Sequence, residues 1–63
     1  MPIVQVNMMA GRTDQQKEAM IRKVTDAVME AVSAPEQNVT VLINEIPKSE
    51  FGIGGQTAEK LGR

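Results

Sequence analysis

No cysteine and no histidine occur in the 63 residues, tryptophan and tyrosine are also missing, and Phe51 is the only aromatic side chain. Without cysteine there is no disulfide framework, and without Cys or His a structural metal site lacks its usual ligands. The same absences remove the usual nucleophile and the side chain best suited to general base work near neutral pH. No charge of one sign dominates: seven Lys and Arg stand against eight Asp and Glu, scattered rather than clustered. The basic stripe that nucleic acid or an anionic membrane attracts is therefore missing. Nor is there an apolar run near the ~20 residues of a membrane span, and the first apolar stretch, interrupted by Gln5 and Asn7, lacks the form of a signal peptide. The expectation is a soluble cytoplasmic protein with neither nucleic acid nor membrane as partner.

A chain this short is one domain, residues 1–63, and buries only about 60% of the surface it exposes when unfolded. Small domains make up the deficit with disulfides, a metal or self-association. With the first excluded and the second lacking ligands, self-association remains. Five methionines within a 41% hydrophobic composition suit a core of irregular shape that a neighbouring subunit completes.

Alternation and helical spacing place the elements. Residues 3–9, IVQVNMM, set Val4, Val6 and Met8 on one face and Ile3, Gln5, Asn7 and Met9 on the other, the period of a strand. Gly11 breaks that strand. Thr13 then stands as helix N-cap with Gln16 three residues on, a T-x-x-Q capping box, and Asp14 adds negative charge where the helix dipole favours it. Met20, Ile21, Val24, Ala27, Val28, Ala31 and Val32 recur at three- and four-residue spacing, which predicts a helix of about 20 residues, roughly 30 Å long. Ser33, Ala34 and Pro35 end it, with Pro35 suited to the first position of a short further turn. Residues 39–46 alternate again as a second strand, with Val39, Val41 and Ile43 on one face and Thr40, Leu42 and Asn44 on the other. Two strands around a long helix imply a parallel, right-handed β-α-β unit. Its open edges and uncovered sheet face again call for partner chains. Beyond Pro47, the glycines of FGIGG predict a tight hairpin rather than a phosphate loop, since they neither follow the first strand nor open a helix.

With His and Cys gone, chemistry falls to carboxylates, lysines, hydroxyls and an N-terminal amine. Asp14, Glu18, Asp26 and Glu30 lie on the predicted helix and read as solvated or capping groups, while Glu45, Glu50 and Glu59 have no obvious role. Pro2 is the sharper candidate. Aminopeptidases remove an initiator Met ahead of a small residue or proline, and the mature chain would then begin with a secondary amine. Desolvation and nearby cations lower the pKa of such an amine toward neutrality, where it accepts and returns a proton. A proline that merely begins an edge strand fits the local sequence equally well.

The segments MPIVQVN, GRTDQQKE and EFGIGG, in this order and spacing, resemble the 4-oxalocrotonate tautomerase family across essentially the whole chain. The resemblance implies an α/β (α+β) fold, a β-α-β block with a C-terminal hairpin, assembled as a homohexamer (a trimer of dimers). It implies enol–keto or 1,3-/1,5-proton transfer on small unsaturated 2-hydroxy or 2-oxo acids, without a cofactor, in aromatic compound catabolism. Pro2 is then the general acid and base, Arg12 binds a substrate carboxylate from a neighbouring subunit, and Phe51 keeps the amine in apolar surroundings. Where well-studied members carry a second arginine on the second strand, this sequence has Thr40; Lys48 and Arg22 are the candidate substitutes. Two other readings stand beside this one: an amine nucleophile acting through an iminium, and a self-assembling protein with a vestigial site.

Overall fold

The computed structural model describes residues 1–63. β1 (Ile3–Met9) and β2 (Thr40–Ile46) pair in parallel, Ile3 opposite Thr40 and Met9 opposite Ile46. This register puts Val4, Val6 and Met8 beside Val41, Ile43 and Glu45 on one face, and Ile3, Gln5, Asn7 and Met9 beside Thr40, Leu42, Asn44 and Ile46 on the other. Backbone bonds extend the pairing at both ends, from the Thr40 amide to the Pro2 carbonyl (3.0 Å) and from the Ala10 amide to the Ile46 carbonyl (2.9 Å). Parallel strands need a long crossover, and α1 (Asp14–Val32) supplies it.

α1 starts as the sequence leads one to expect. The Thr13 hydroxyl accepts the Gln16 amide at 3.1 Å, and the Gln16 side chain accepts the Thr13 amide at 2.9 Å, so the capping box is complete. The helix ends where Ser33 adopts a left-handed conformation, φ 57°. Lys17 ties its first turn to the sheet by an ion pair with Glu45 at 2.7 Å, supplemented by Asp14 at 3.3 Å. The hydrogen bond to Glu45 is the main reason the lysine's pKa is raised, against an opposing desolvation.

Met20, Val24, Val28 and Met29 are half-buried, and Thr25 is buried with its hydroxyl donating to the Ile21 carbonyl at 2.7 Å. The apolar stripe read from the sequence is wider than the surface the sheet covers: Ile21 is 40% and Val32 61% exposed, and Ala27 and Ala31 are exposed as well. A two-stranded sheet is too narrow to cover both flanks of a 19-residue helix.

Two boundaries differ from the sequence reading by one residue. Pro35 is extended (φ −64°, ψ 146°) and precedes a 3-10 turn at Glu36–Asn38 instead of opening it. The Val39 amide closes that turn on the Glu36 carbonyl, so β2 begins at Thr40. After Pro47 comes a second 3-10 turn, Lys48–Glu50, and then a hairpin of β3 (Gly52–Ile53) and β4 (Gln56–Thr57). Gly54 and Gly55 make its two-residue turn with φ of 60° and 89°, a pair of left-handed positions that suits glycine.

Little of this is enclosed. Only Thr25 and Ala58 are buried. The radius of gyration is 14.6 Å, against about 11 Å for a compact chain of this length. The accessible surface is 4706 Å², where a monomer of this mass would expose about 4,000 Å². The molecule is a slab of 42 × 23 × 13 Å, one helix thick on one side of a sheet whose other face is open. On that face Ile3 is 64% and Leu42 50% exposed, and the Asn44 amide donates to Asn7 at 3.1 Å.

With so little buried, helix initiation weighs heavily. Replacing Thr13 by Ala should destabilise the protein by about 1 kcal/mol, measured by urea unfolding at fixed protein concentration, and Thr13→Ser, which keeps the capping hydroxyl, should retain most of the stability.

Candidate functional site

Pro2 sits at the leading end of the parallel sheet, half-buried, its carbonyl held by the Thr40 amide. Thr40 is half-buried too, and its hydroxyl faces the Met1 sulfur at 3.9 Å. These two candidate residues are neighbours. Met1 precedes Pro2 and is 80% exposed, so in this form the proline nitrogen is a tertiary amide without a basic lone pair.

Arg12 lies at the opposite end. Seven residues of β1 stand between, and at about 3.3 Å per residue the two ends of the strand are roughly 20 Å apart. Phe51 belongs to the Arg12 end as well. It follows the trailing end of β2 by five residues, three of them in a 3-10 turn that rises only about 2 Å per residue, too short a segment to return to Pro2. Within one protomer the structure therefore brings together Pro2 with Thr40, and separately places Arg12 and Phe51 at the far end of the sheet.

The candidate substitutes for a cation at position 40 fare differently. Arg22 is engaged: its guanidinium contacts Asp26 and Glu36, each at 2.6 Å. Those hydrogen bonds, Asp26 first, raise its pKa. Lys48 lines a cavity of about 280 Å³ with Arg12, Met8, Met9 and Arg63, at the end of the sheet away from Thr40. Arg63 carries no sequence signal: nothing in its neighbours' pattern says where this residue folds back. A second, smaller space of about 170 Å³ lies on the helix side of Arg12, between Met8 and Gln16, Lys17 and Met20.

The carboxylates behave as surface groups. Asp14 and Glu45 serve Lys17, Asp26 serves Arg22, and Glu18, Glu30, Glu50 and Glu59 are exposed without an ion pair. No group of three or more Asp or Glu is placed to hold a metal ion, and no helix is long and apolar enough to cross a membrane.

A parallel β-α-β unit closed by a glycine hairpin, with a proline at the head of its first strand, defines the class. The sequence model of the family described as Tautomerase enzyme matches residues 2–60, and the chain belongs to this family. It is 51% identical over 63 residues, the full length of both, to 2-hydroxymuconate tautomerase from Pseudomonas sp. (strain CF600). Among solved structures, a 4-oxalocrotonate tautomerase isozyme from Methylibium petroleiphilum superposes with a TM-score of 0.93 at 53% identity, over 98% of this chain and 100% of that one. A heterohexamer 4-oxalocrotonate tautomerase from Chloroflexus aurantiacus J-10-fl matches with a TM-score of 0.90 at 28% identity, over 97% and 98%. The fold and the family expected from the three sequence segments are both found.

Proposed function

We propose that this chain is the protomer of a homo-oligomeric tautomerase, a trimer of dimers, in which Pro2 of one protomer and Arg12 of another act on one small unsaturated 2-hydroxy or 2-oxo acid. The observation that carries this reading is the separation of Pro2 from Arg12 and Phe51 by the length of β1, in a chain that leaves a sheet face and both helix flanks uncovered. A heterohexameric relative supports six chains per assembly.

The chemistry follows from the groups. Once Met1 is removed, Pro2 carries a free secondary amine. The amine takes a proton from the enol hydroxyl or the α-carbon, the electron pair moves through the conjugated system, and the ammonium returns a proton to a distal carbon. No atom is gained or lost, and no redox partner enters. Arg12 pairs its planar guanidinium with a substrate carboxylate and stabilises charge drawn toward that end. Phe51 covers the amine with apolar surface and favours its neutral form.

At position 40 the reading departs from a two-arginine site. A hydroxyl carries no charge, so simple enol–keto substrates with one carboxylate suit this site better than dicarboxylate dienols.

The assembly should sediment as a hexamer, with no folded monomer at micromolar concentration; a compact monomer would remove the shared site. Pro2→Ala should lower turnover by about 10²- to 10⁴-fold, and a preparation shown by intact mass to retain Met1 should be equally inactive. Full activity in both would exclude the amine as base and favour a vestigial site. Thr40→Arg should raise kcat/KM on 2-hydroxymuconate by roughly 30- to 1,000-fold, the equivalent of about 2 to 4 kcal/mol from one charged donor. On phenylenolpyruvate it should change much less. The backbone bond from position 40 to Pro2 is independent of the side chain, so the substitution leaves the sheet intact.

A further inference from the structure

Three cations far apart in sequence meet at the trailing end of the sheet. The bond from the Ala10 amide to the Ile46 carbonyl makes β1 and β2 finish side by side, so Gly11 and Arg12 leave the sheet next to Pro47 and Lys48. The C-terminal turn then folds back on the same place. The Glu59 amide donates to the Lys48 carbonyl at 3.3 Å and the Arg63 amide to the Ala58 carbonyl at 2.9 Å. Arg12, Lys48 and Arg63 consequently line one cavity of about 280 Å³, close to the lower bound of small-molecule sites.

None of the three is neutralised. The ion pairs of the chain all belong to Lys17 and Arg22, and Glu50 and Glu59 make none, although they lie in the same segments as Lys48 and the C-terminal turn. An anion entering the cavity meets three exposed cations that no carboxylate of the chain engages. Met8 and Met9 supply apolar wall beside the cations, which suits a ligand with a carboxylate head and a hydrocarbon body.

We propose that Lys48 and Arg63 join Arg12 in a three-cation clamp for a substrate carboxylate, so that this protein concentrates its positive charge at the Arg12 end and leaves the Pro2 end with the neutral Thr40. The proposal rests on the reading that the Arg12 end of one protomer completes the site of another. Lys48 is a binding residue in this arrangement. Within a protomer the length of β2 separates it from Thr40, and it lines the same cavity as Arg12, so it strengthens the grip on the carboxylate that Arg12 already holds. A substrate is then anchored at one end only, and its other end is selected by shape and apolar contact.

Adipate, an inert six-carbon dicarboxylate, serves as the binding probe for the assembled, Met1-free protein in isothermal titration. Phenylenolpyruvate serves as the substrate. Lys48→Ala should weaken adipate binding about 5-fold, and Lys48→Ala with Arg63→Ala about 25-fold, the scale of exposed ion pairs. KM should rise by the same factors with kcat nearly unchanged. Lys48→Arg should restore both, and added NaCl should weaken binding more in the wild type than in the double variant. Lys60→Ala, which removes an exposed charge outside the cavity, should change neither quantity.

The clamp is overturned if the double variant binds adipate as the wild type does, or if Lys60→Ala matches Lys48→Ala and the effect is one of net charge. Pro2→Ala, measured in parallel, separates this outcome from failure of the proton-transfer reading. An inactive Pro2→Ala beside an unaltered double variant defeats the clamp alone, whereas a fully active Pro2→Ala beside weakened adipate binding defeats the proline base alone.

Discussion

The parallel pairing of two seven-residue strands governs everything else in this protein. Because the strands run the same way, the chain must cross from the end of β1 to the start of β2, and a 19-residue helix makes that crossing. Because they are parallel and only two, one face is covered by the helix and the other by nothing. Because their ends are fixed by backbone bonds from Thr40 to Pro2 and from Ala10 to Ile46, Pro2 and Arg12 are held apart rigidly. The geometry that separates Pro2 from Arg12 by the length of β1 is thus the same geometry that leaves a sheet face and both helix flanks uncovered.

The proposed function couples stability and chemistry through that surface. A slab with two buried residues has no interior of its own in which an amine could be desolvated. On the proposed function, apolar surroundings for Pro2 and a cation for the substrate come from neighbours, so the association that supplies the core also supplies the site. The open sheet face is prepared for close packing: its amide pair, Asn7 and Asn44, is satisfied within the protomer at 3.1 Å, and Ile3 and Leu42 stand out beside it.

How much was legible in the sequence depended on the range of the signal. Local patterns spoke clearly: the alternation of IVQVNMM, the capping box from Thr13 to Gln16 and the paired glycines at 54 and 55 each correspond to an element in the structure. The helix stripe was legible in period but not in breadth. Ile21 and Val32 look like core by spacing, yet a two-stranded sheet cannot reach them, and sequence does not report how wide the covering layer is. The sequence offers Lys48 as a cation but not its direction, because its position depends on a 3-10 turn and on the Glu59 amide reaching its carbonyl from eleven residues on. Arg63 is illegible for the same reason: its place depends on its amide reaching the Ala58 carbonyl. The pairing of Pro2 with Thr40 needed the strand register, which spacing alone leaves undetermined.

The central claim is that a working site takes its proline from one protomer and its arginine from another. Subunit mixing tests it. Pro2→Ala and Arg12→Ala proteins, each assembled alone, leave every site with one defect. When the two are unfolded together and reassembled as mixed oligomers, some sites receive an intact Pro2 from one parent and an intact Arg12 from the other. Turnover of phenylenolpyruvate well above the sum of the two parents is the predicted result. Mixed oligomers, verified by mass, that show no more than that sum would contradict the account.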